Sequence, residues 1–190
     1  VFYYLTVMNE NYQQPEMPEG VEEGILKGIY VLDNVKAKNK AKGDVQLLGS
    51  GTILQQVRKA ADMLAEQFDI NSTVYSVTSF NELARDGLDV DRHNMLHADK
   101  DSKEAYITKV MKDAKGPAVA ATDYMKLYAD QVRAWVPTSY RVLGTDGFGR
   151  SDSRSNLRKH FEVSPEYIVV AALKELADAG DIDKKVLAKA

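Results

Sequence analysis

No cysteine occurs in the 190 residues. That excludes a disulfide scaffold, a thiolate nucleophile and any Cys-based zinc site. It also suits a reducing compartment, and a cytoplasmic location is the expectation. An excess of basic charge is missing too: Lys plus Arg number 25 against 28 Asp plus Glu, a net of −3. So mild an acidity argues against nucleic acid as the main partner, because neutralising phosphates needs a basic surface. No apolar run approaches the roughly 20 residues that span a bilayer, so no stretch reads as a membrane helix. What is present is ordinary for a globular chain, with 44% apolar and 28% charged residues. The length suits one domain with a real core.

The run Val1-Phe2-Tyr3-Tyr4-Leu5-Thr6-Val7-Met8 is rich in aromatic and β-branched side chains and is predicted to be a strand. Residues 9–20 hold Pro15, Pro18 and Gly20 among polar residues, the composition of an extended connector. The expectation is therefore that residues 1–20 are a strand and connector belonging to a preceding domain, and that residues 21–190 form a domain of their own. Within it, Gly24–Leu32 is a strand candidate, and the lysine-spaced stretch 36–43 a loop.

Strands and helices then alternate. Strands are expected at Val45–Leu48, Thr73–Val77, Ala118–Ala121 and Tyr140–Leu143. Ile53, Val57, Ala61, Leu64 and Phe68 recur at spacings of three and four, one buried helical stripe. Ser79 or Asn81 is expected to cap a short helix through Leu83 and Ala84, and 87–101 is expected to be irregular. Ser102–Ala114 and Asp123–Val136 are predicted helices, the second stopped by Pro137. A further helix runs through Leu157 and Phe161 with Ser153 as its cap. Ser164, Pro165 and Glu166 signal the start of another and Gly180 its end. A last short helix is expected in 182–190. Short apolar strands alternating with helices predict a three-layer α/β sandwich. Its sheet is expected to be mostly parallel and about five-stranded, with the early strand as an antiparallel edge.

Few stretches carry chemistry. Gly49-Ser50-Gly51-Thr52 lies between a strand and a helix start, where amide groups can hold an anion. It lacks the third glycine of a dinucleotide turn and the Gly-Lys-Ser/Thr of a phosphate loop, so a structural turn is favoured. His93 and His97, four apart, would share a helix face and could bind zinc with Asp91 or Asp99. Asn94 stands where the helical zinc motif needs Glu, so a solvated pair is favoured. His160 is expected to face water, and Lys36, Lys38, Lys40 and Lys42 to line a solvated loop. The most distinctive stretch is Gly144-Thr145-Asp146-Gly147-Phe148-Gly149-Arg150-Ser151-Asp152-Ser153-Arg154. It follows a strand at its carboxyl end, where α/β sheets place function. Either Phe148 stands exposed for docking, with Arg150 and Arg154 available to carboxylates, or Phe148 folds into its own core. Asp146, Phe148, Arg150 and Arg154 are the interface candidates. No catalytic, cofactor-binding or metal-binding residue is assigned.

Five strings together carry a resemblance: Tyr3–Tyr12, Val45–Gly51, Tyr75–Gly87, Ala121–Leu127 and Arg141–Arg154. They resemble the C-terminal domain of homodimeric bacterial pyruvate dehydrogenases, the decarboxylating component of a multienzyme complex. More remotely, the Gly-Ser-Gly turn and the Asp146–Ser151 loop are similar to the transketolase C-terminal domain. The resemblance implies a parent oxidoreductase that uses thiamine diphosphate and Mg²⁺, decarboxylates pyruvate and passes the acetyl group to a lipoyl group. It implies that the cofactor and catalytic motifs lie in preceding domains, so this piece by itself is expected to be inactive. The partners implied are those preceding domains, a homodimer partner and the acetyltransferase component. The other reading is a stand-alone α/β module that binds an anion or a partner.

Overall fold

The computed structural model describes residues 2–5 and 7–188. Five strands form one sheet in the order β1-β3-β2-β4-β5, with β1 Ile29–Val35, β2 Gly43–Gly49, β3 Ile70–Val77, β4 Ala118–Ala121 and β5 Tyr140–Leu143. Four run parallel; β1 pairs antiparallel with β3 at one edge, with a register shift between Val31 and Asp33. The expected three-layer α/β sandwich, mostly parallel with one antiparallel edge strand, is the observed architecture.

Successive residues of a strand point to opposite faces, and β2 shows the result. Val45 and Leu47 enter one apolar cluster with α2 (Leu54–Met63) and α7 (Pro165–Ala179), while Leu48 enters the other. That second cluster lies under α3 (Phe80–Leu96), α4 (Tyr106–Met111) and α5 (Lys126–Asp130). Leu47, Leu48, Val57, Phe80, Ile168 and Leu173 are fully buried. Each such side chain contributes roughly 1.5–3 kcal/mol by leaving water.

The helices differ from expectation where glycine and tertiary contacts intervene. Gly24–Leu32 is not one strand: Glu22–Lys27 forms α1, and β1 starts at Ile29. Gly28 ends the helix at φ 107, and a Cβ there would lie 2.6 Å from the Ser79 carbonyl oxygen, so no other residue fits. Ser79 caps α3 by accepting from the Glu82 amide, but that helix continues to Leu96 through the stretch expected to be irregular. Gly87 is no breaker there. A Cβ on it would stand 2.3 Å from Cδ2 of Trp135, so its bareness admits the indole.

The predicted helix Ser102–Ala114 shrinks to α4. The predicted Asp123–Val136 helix splits into α5 and a 3₁₀ turn, Arg133–Trp135. Residues 123–125 stay outside the helix, in a bend whose Tyr124 carbonyl accepts from the Thr145 amide at 2.8 Å. Ser153 caps α6 (Arg154–His160), as expected. Ser164 precedes α7, but its hydroxyl donates to Glu166 at 2.5 Å and makes no bond to a helix amide. The final helix α8 covers Lys184–Leu187; positions 189 and 190 lie outside the described residues.

The described residues of the expected strand 1–8 pair with no strand of this sheet. Phe2–Leu5, Val7 and Met8 belong to no ladder and expose their apolar side chains. Aromatic and β-branched composition favours extended backbone, but a strand also needs a neighbour to bond. Val1 and Thr6 lie outside the described residues.

Candidate functional site at the carboxyl edge of the sheet

The carboxyl ends of β2, β4 and β5 deliver Ser50, Thr122 and Gly144 to one edge. From β2 the chain crosses to β3 on one side, and from β3 it returns to β4 on the other. The β2–β4 junction is thus the switch point where α/β sheets open a crevice. Its floor is bonded internally. The buried Ser50 hydroxyl donates to Thr122 Oγ1 at 2.9 Å, and the Tyr124 amide donates to the same oxygen at 3.2 Å. Above it Thr52 donates to the Asp123 carboxylate at 3.4 Å, and Thr145 donates to the Asp123 carbonyl at 2.5 Å.

Asp123 decides what the Gly49–Thr52 turn does. Its Oδ1 would lie 3.6 Å from a Cβ on Gly51, at the helix start where an anion would have to sit. A carboxylate already there repels a second negative charge. Within the turn Gly49 serves packing: a Cβ on it would lie 2.8 Å from the Leu54 Cα.

Beside the junction is a cleft of about 280 Å³, floored by Ile53, Leu157, Phe161 and Val163 and rimmed by Met8 and Gly147. Around it the four interface candidates part ways. The Asp146 carboxylate stays exposed but accepts from the Lys126 amide at 2.9 Å, capping α5 from a distant loop. Phe148 is 88% exposed, so the ring does not fold into its own core. Arg150 is exposed. Arg154 is engaged within the chain: its Nε lies 3.2 Å from Glu10, and it donates to Asn9.

Three further participants went unread in the sequence. Tyr124, Met125 and Leu127, held beside the 144–148 loop by the Thr145 and Asp146 bonds, are more than half exposed. The expected Asp123–Val136 helix would run through them, and the break before α5 leaves them exposed.

His93 and His97 stack with ring centroids 4.3 Å apart, and His97 Nδ1 lies 2.9 Å from the His93 carbonyl oxygen. Contrary to expectation, His93 lies on regular helix. Partial desolvation, then Lys103, His97 and Lys100, push the His93 imidazole below its ordinary pKa. No group of three or more His, Cys, Asp or Glu side chains converges among the described residues. His160 packs edge-on against Phe161 at 4.9 Å. In the lysine loop, Lys42 pairs with Asp69 at 2.9 Å, and that hydrogen bond leads in holding the Asp69 carboxyl low. No helix among the described residues is long and apolar enough to cross a membrane.

A family model described as the transketolase-like TK C-terminal domain matches residues 28–164. The chain belongs to this family. The transketolase-like domain shares its fold with transketolase from Leishmania mexicana, with a TM-score of 0.50 and 18% identity over 82% of this chain and 19% of that one. Transketolase from Campylobacter jejuni gives 0.50 and 20% over 85% and 20%. Closer in sequence is the pyruvate dehydrogenase E1 component of Escherichia coli K12, 63% identical over all of this chain and 21% of that protein. That of Pseudomonas aeruginosa is 57% identical over the same shares. The transketolase-like chain thus spans about a fifth of the length of the curated relatives it matches.

Proposed function

We propose that this domain is the C-terminal structural and interface domain of a pyruvate dehydrogenase that decarboxylates pyruvate and transfers the acetyl group to a lipoyl group. The observation that carries the reading is 63% identity, over the whole chain, to a pyruvate dehydrogenase E1 component. In this reading residues 1–20 lead in from preceding domains and 21–190 form the interface domain. A homodimer partner and the acetyltransferase component of the complex are the further partners, and the bacterial cytoplasm is the compartment.

Thiamine diphosphate and Mg²⁺ belong to that parent chemistry, and the residues here do not fit them. No carboxylate or histidine cluster converges among the described residues, and Asp123 stands at the one glycine turn that a diphosphate would approach. The same carboxylate argues against a stand-alone anion-binding module. The domain's part is mechanical. It offers a rigid sheet whose carboxyl edge presents Tyr124, Met125, Leu127 and Phe148 to whatever packs there.

Calorimetric titration of this chain with thiamine diphosphate and Mg²⁺ is expected to give no saturable heat. Tight, saturable binding would overturn the assignment of the cofactor site to other domains. In the full-length protein, Phe148→Asp together with Leu127→Asp is expected to weaken dimer or domain assembly, read by analytical ultracentrifugation. Unchanged assembly would remove this edge from the interface.

A further inference from the structure

The segment before the first helix is not loose on the surface. Glu10 sits between two cations of α6, 3.2 Å from Arg154 Nε and 3.9 Å from Arg158 Nη2. These arginines are four apart in sequence, so one helical face carries both. Arg154 also donates to Asn9, and Tyr12 donates to the Glu10 carboxylate at 3.0 Å. Farther along, Gln55 of α2 lies 3.5 Å from the Gln13 carbonyl oxygen. The groove they follow is lined by Arg58 and Lys59 on α2 and by Glu16 on the segment. In a chain of net charge −3, a cationic strip facing an acidic segment is local charge complementarity.

The same segment places Met8 over the apolar cleft, beside Gly147 and Gly149. The Cα of Val7 is therefore within about 3.8 Å of the Met8 Cα, and the exposed run that includes Phe2, Tyr3, Tyr4 and Leu5 leaves the domain next to the Phe148 loop.

We infer that Glu10, Arg154 and Arg158 form an electrostatic latch that seats residues 8–16 on α2 and α6. The latch fixes the direction in which the apolar run leaves the domain, so that the run and Phe148 are presented on one edge. Arg154 is then a positioning residue for the connector, not a free docking cation. This is read from the present chain alone and does not depend on the parent's chemistry.

The absence of cysteine makes a distance test direct. Nitroxide labels are placed on Tyr4→Cys and on Asp62→Cys, an exposed site on α2, and the interspin distance is measured by pulsed electron resonance. A single narrow distribution is expected at low salt. It should broaden in about 1 M NaCl, where the Debye length falls to roughly 3 Å. Glu10→Arg should broaden it at low salt, and the swap combining Glu10→Arg with Arg154→Glu and Arg158→Glu should narrow it again. Trp135 fluorescence, far from these residues, should be unchanged in every variant and reports that the fold is intact. A distribution already broad at low salt overturns the latch, as does one indifferent to Glu10→Arg. A swap that fails to restore the narrow peak overturns its ionic basis. The salt arm needs no charge variant, so the inference stays testable even if one misfolds.

Discussion

The β2–β4 junction and the loops a few residues beyond it stand in contrast. At the junction the side-chain hydroxyls bond internally: Ser50 donates to Thr122, and Thr122 accepts from Tyr124. Just beyond, Tyr124, Met125, Leu127 and Phe148 turn large apolar surfaces to solvent. In many α/β proteins the switch point is open and takes a ligand. Here it is closed by its own hydroxyls and by Asp123, and the unfinished surface lies on the rim. A site whose polar groups are already satisfied has little left to offer a small molecule, whereas an exposed apolar rim gains by burial against another protein surface. That exposed rim is the surface the proposed interface role would use.

That contrast breaks most sharply in the interior below the junction. Leu47→Ala removes a fully buried side chain from the sheet's central strand and is expected to cost about 2–5 kcal/mol, measured by urea unfolding. A loss under about 1 kcal/mol would mean that the core relaxes around the gap. Next is Gly87→Ala, where the added methyl meets the Trp135 ring. Overpacking of this kind costs about 1–3 kcal/mol, partly offset by up to about 1 kcal/mol of helix propensity. Because Trp135 is the single tryptophan, its emission should shift red as the ring is displaced and its 3.1 Å bond to Asp91 is lost. An unmoved spectrum would show that the helix yields instead.

Thr122→Val tests the junction itself, since it takes the acceptor from the Ser50 hydroxyl and the Tyr124 amide at nearly constant shape. A loss of about 1–3 kcal/mol is expected in thermal melts; a neutral result would mean that water replaces the lost oxygen. On the rim, Phe148→Ala should change the stability of the isolated chain by less than about 0.5 kcal/mol. A large loss there would return Phe148 to the core and erase the contrast.

Much of this was legible in the chain. Two strands, Ala118–Ala121 and Tyr140–Leu143, carry the predicted bounds because short apolar runs between breakers have few alternatives in a parallel sheet. Ser79 and Ser153 cap the helices they were expected to cap, since a cap is a local bond between residues three apart. Gly87 was misread because a glycine inside a helix is ambiguous until its neighbour is known, and Trp135 lies 48 residues on. Of the interface candidates, the exposure of Phe148 and Arg150 matches one of the two outcomes anticipated. The bond of Asp146 to the Lys126 amide and the engagement of Arg154 depend on residues 20 and 144 positions away, distances at which spacing carries no signal.

The sequence by itself determined the layers: the alternation of apolar strands and amphipathic helices, the caps and the lack of cysteine all act through local chemistry and composition. It also carried the likeness to pyruvate dehydrogenases along its whole length. The tertiary structure decided which polar groups are spent and which apolar ones are left over. Only the strand order brings Ser50 to Thr122 and Asp123 to Gly51, and only the path of residues 8–16 brings Glu10 to Arg154. Whether a charged or apolar side chain is free for a partner depends on what has already reached it through space.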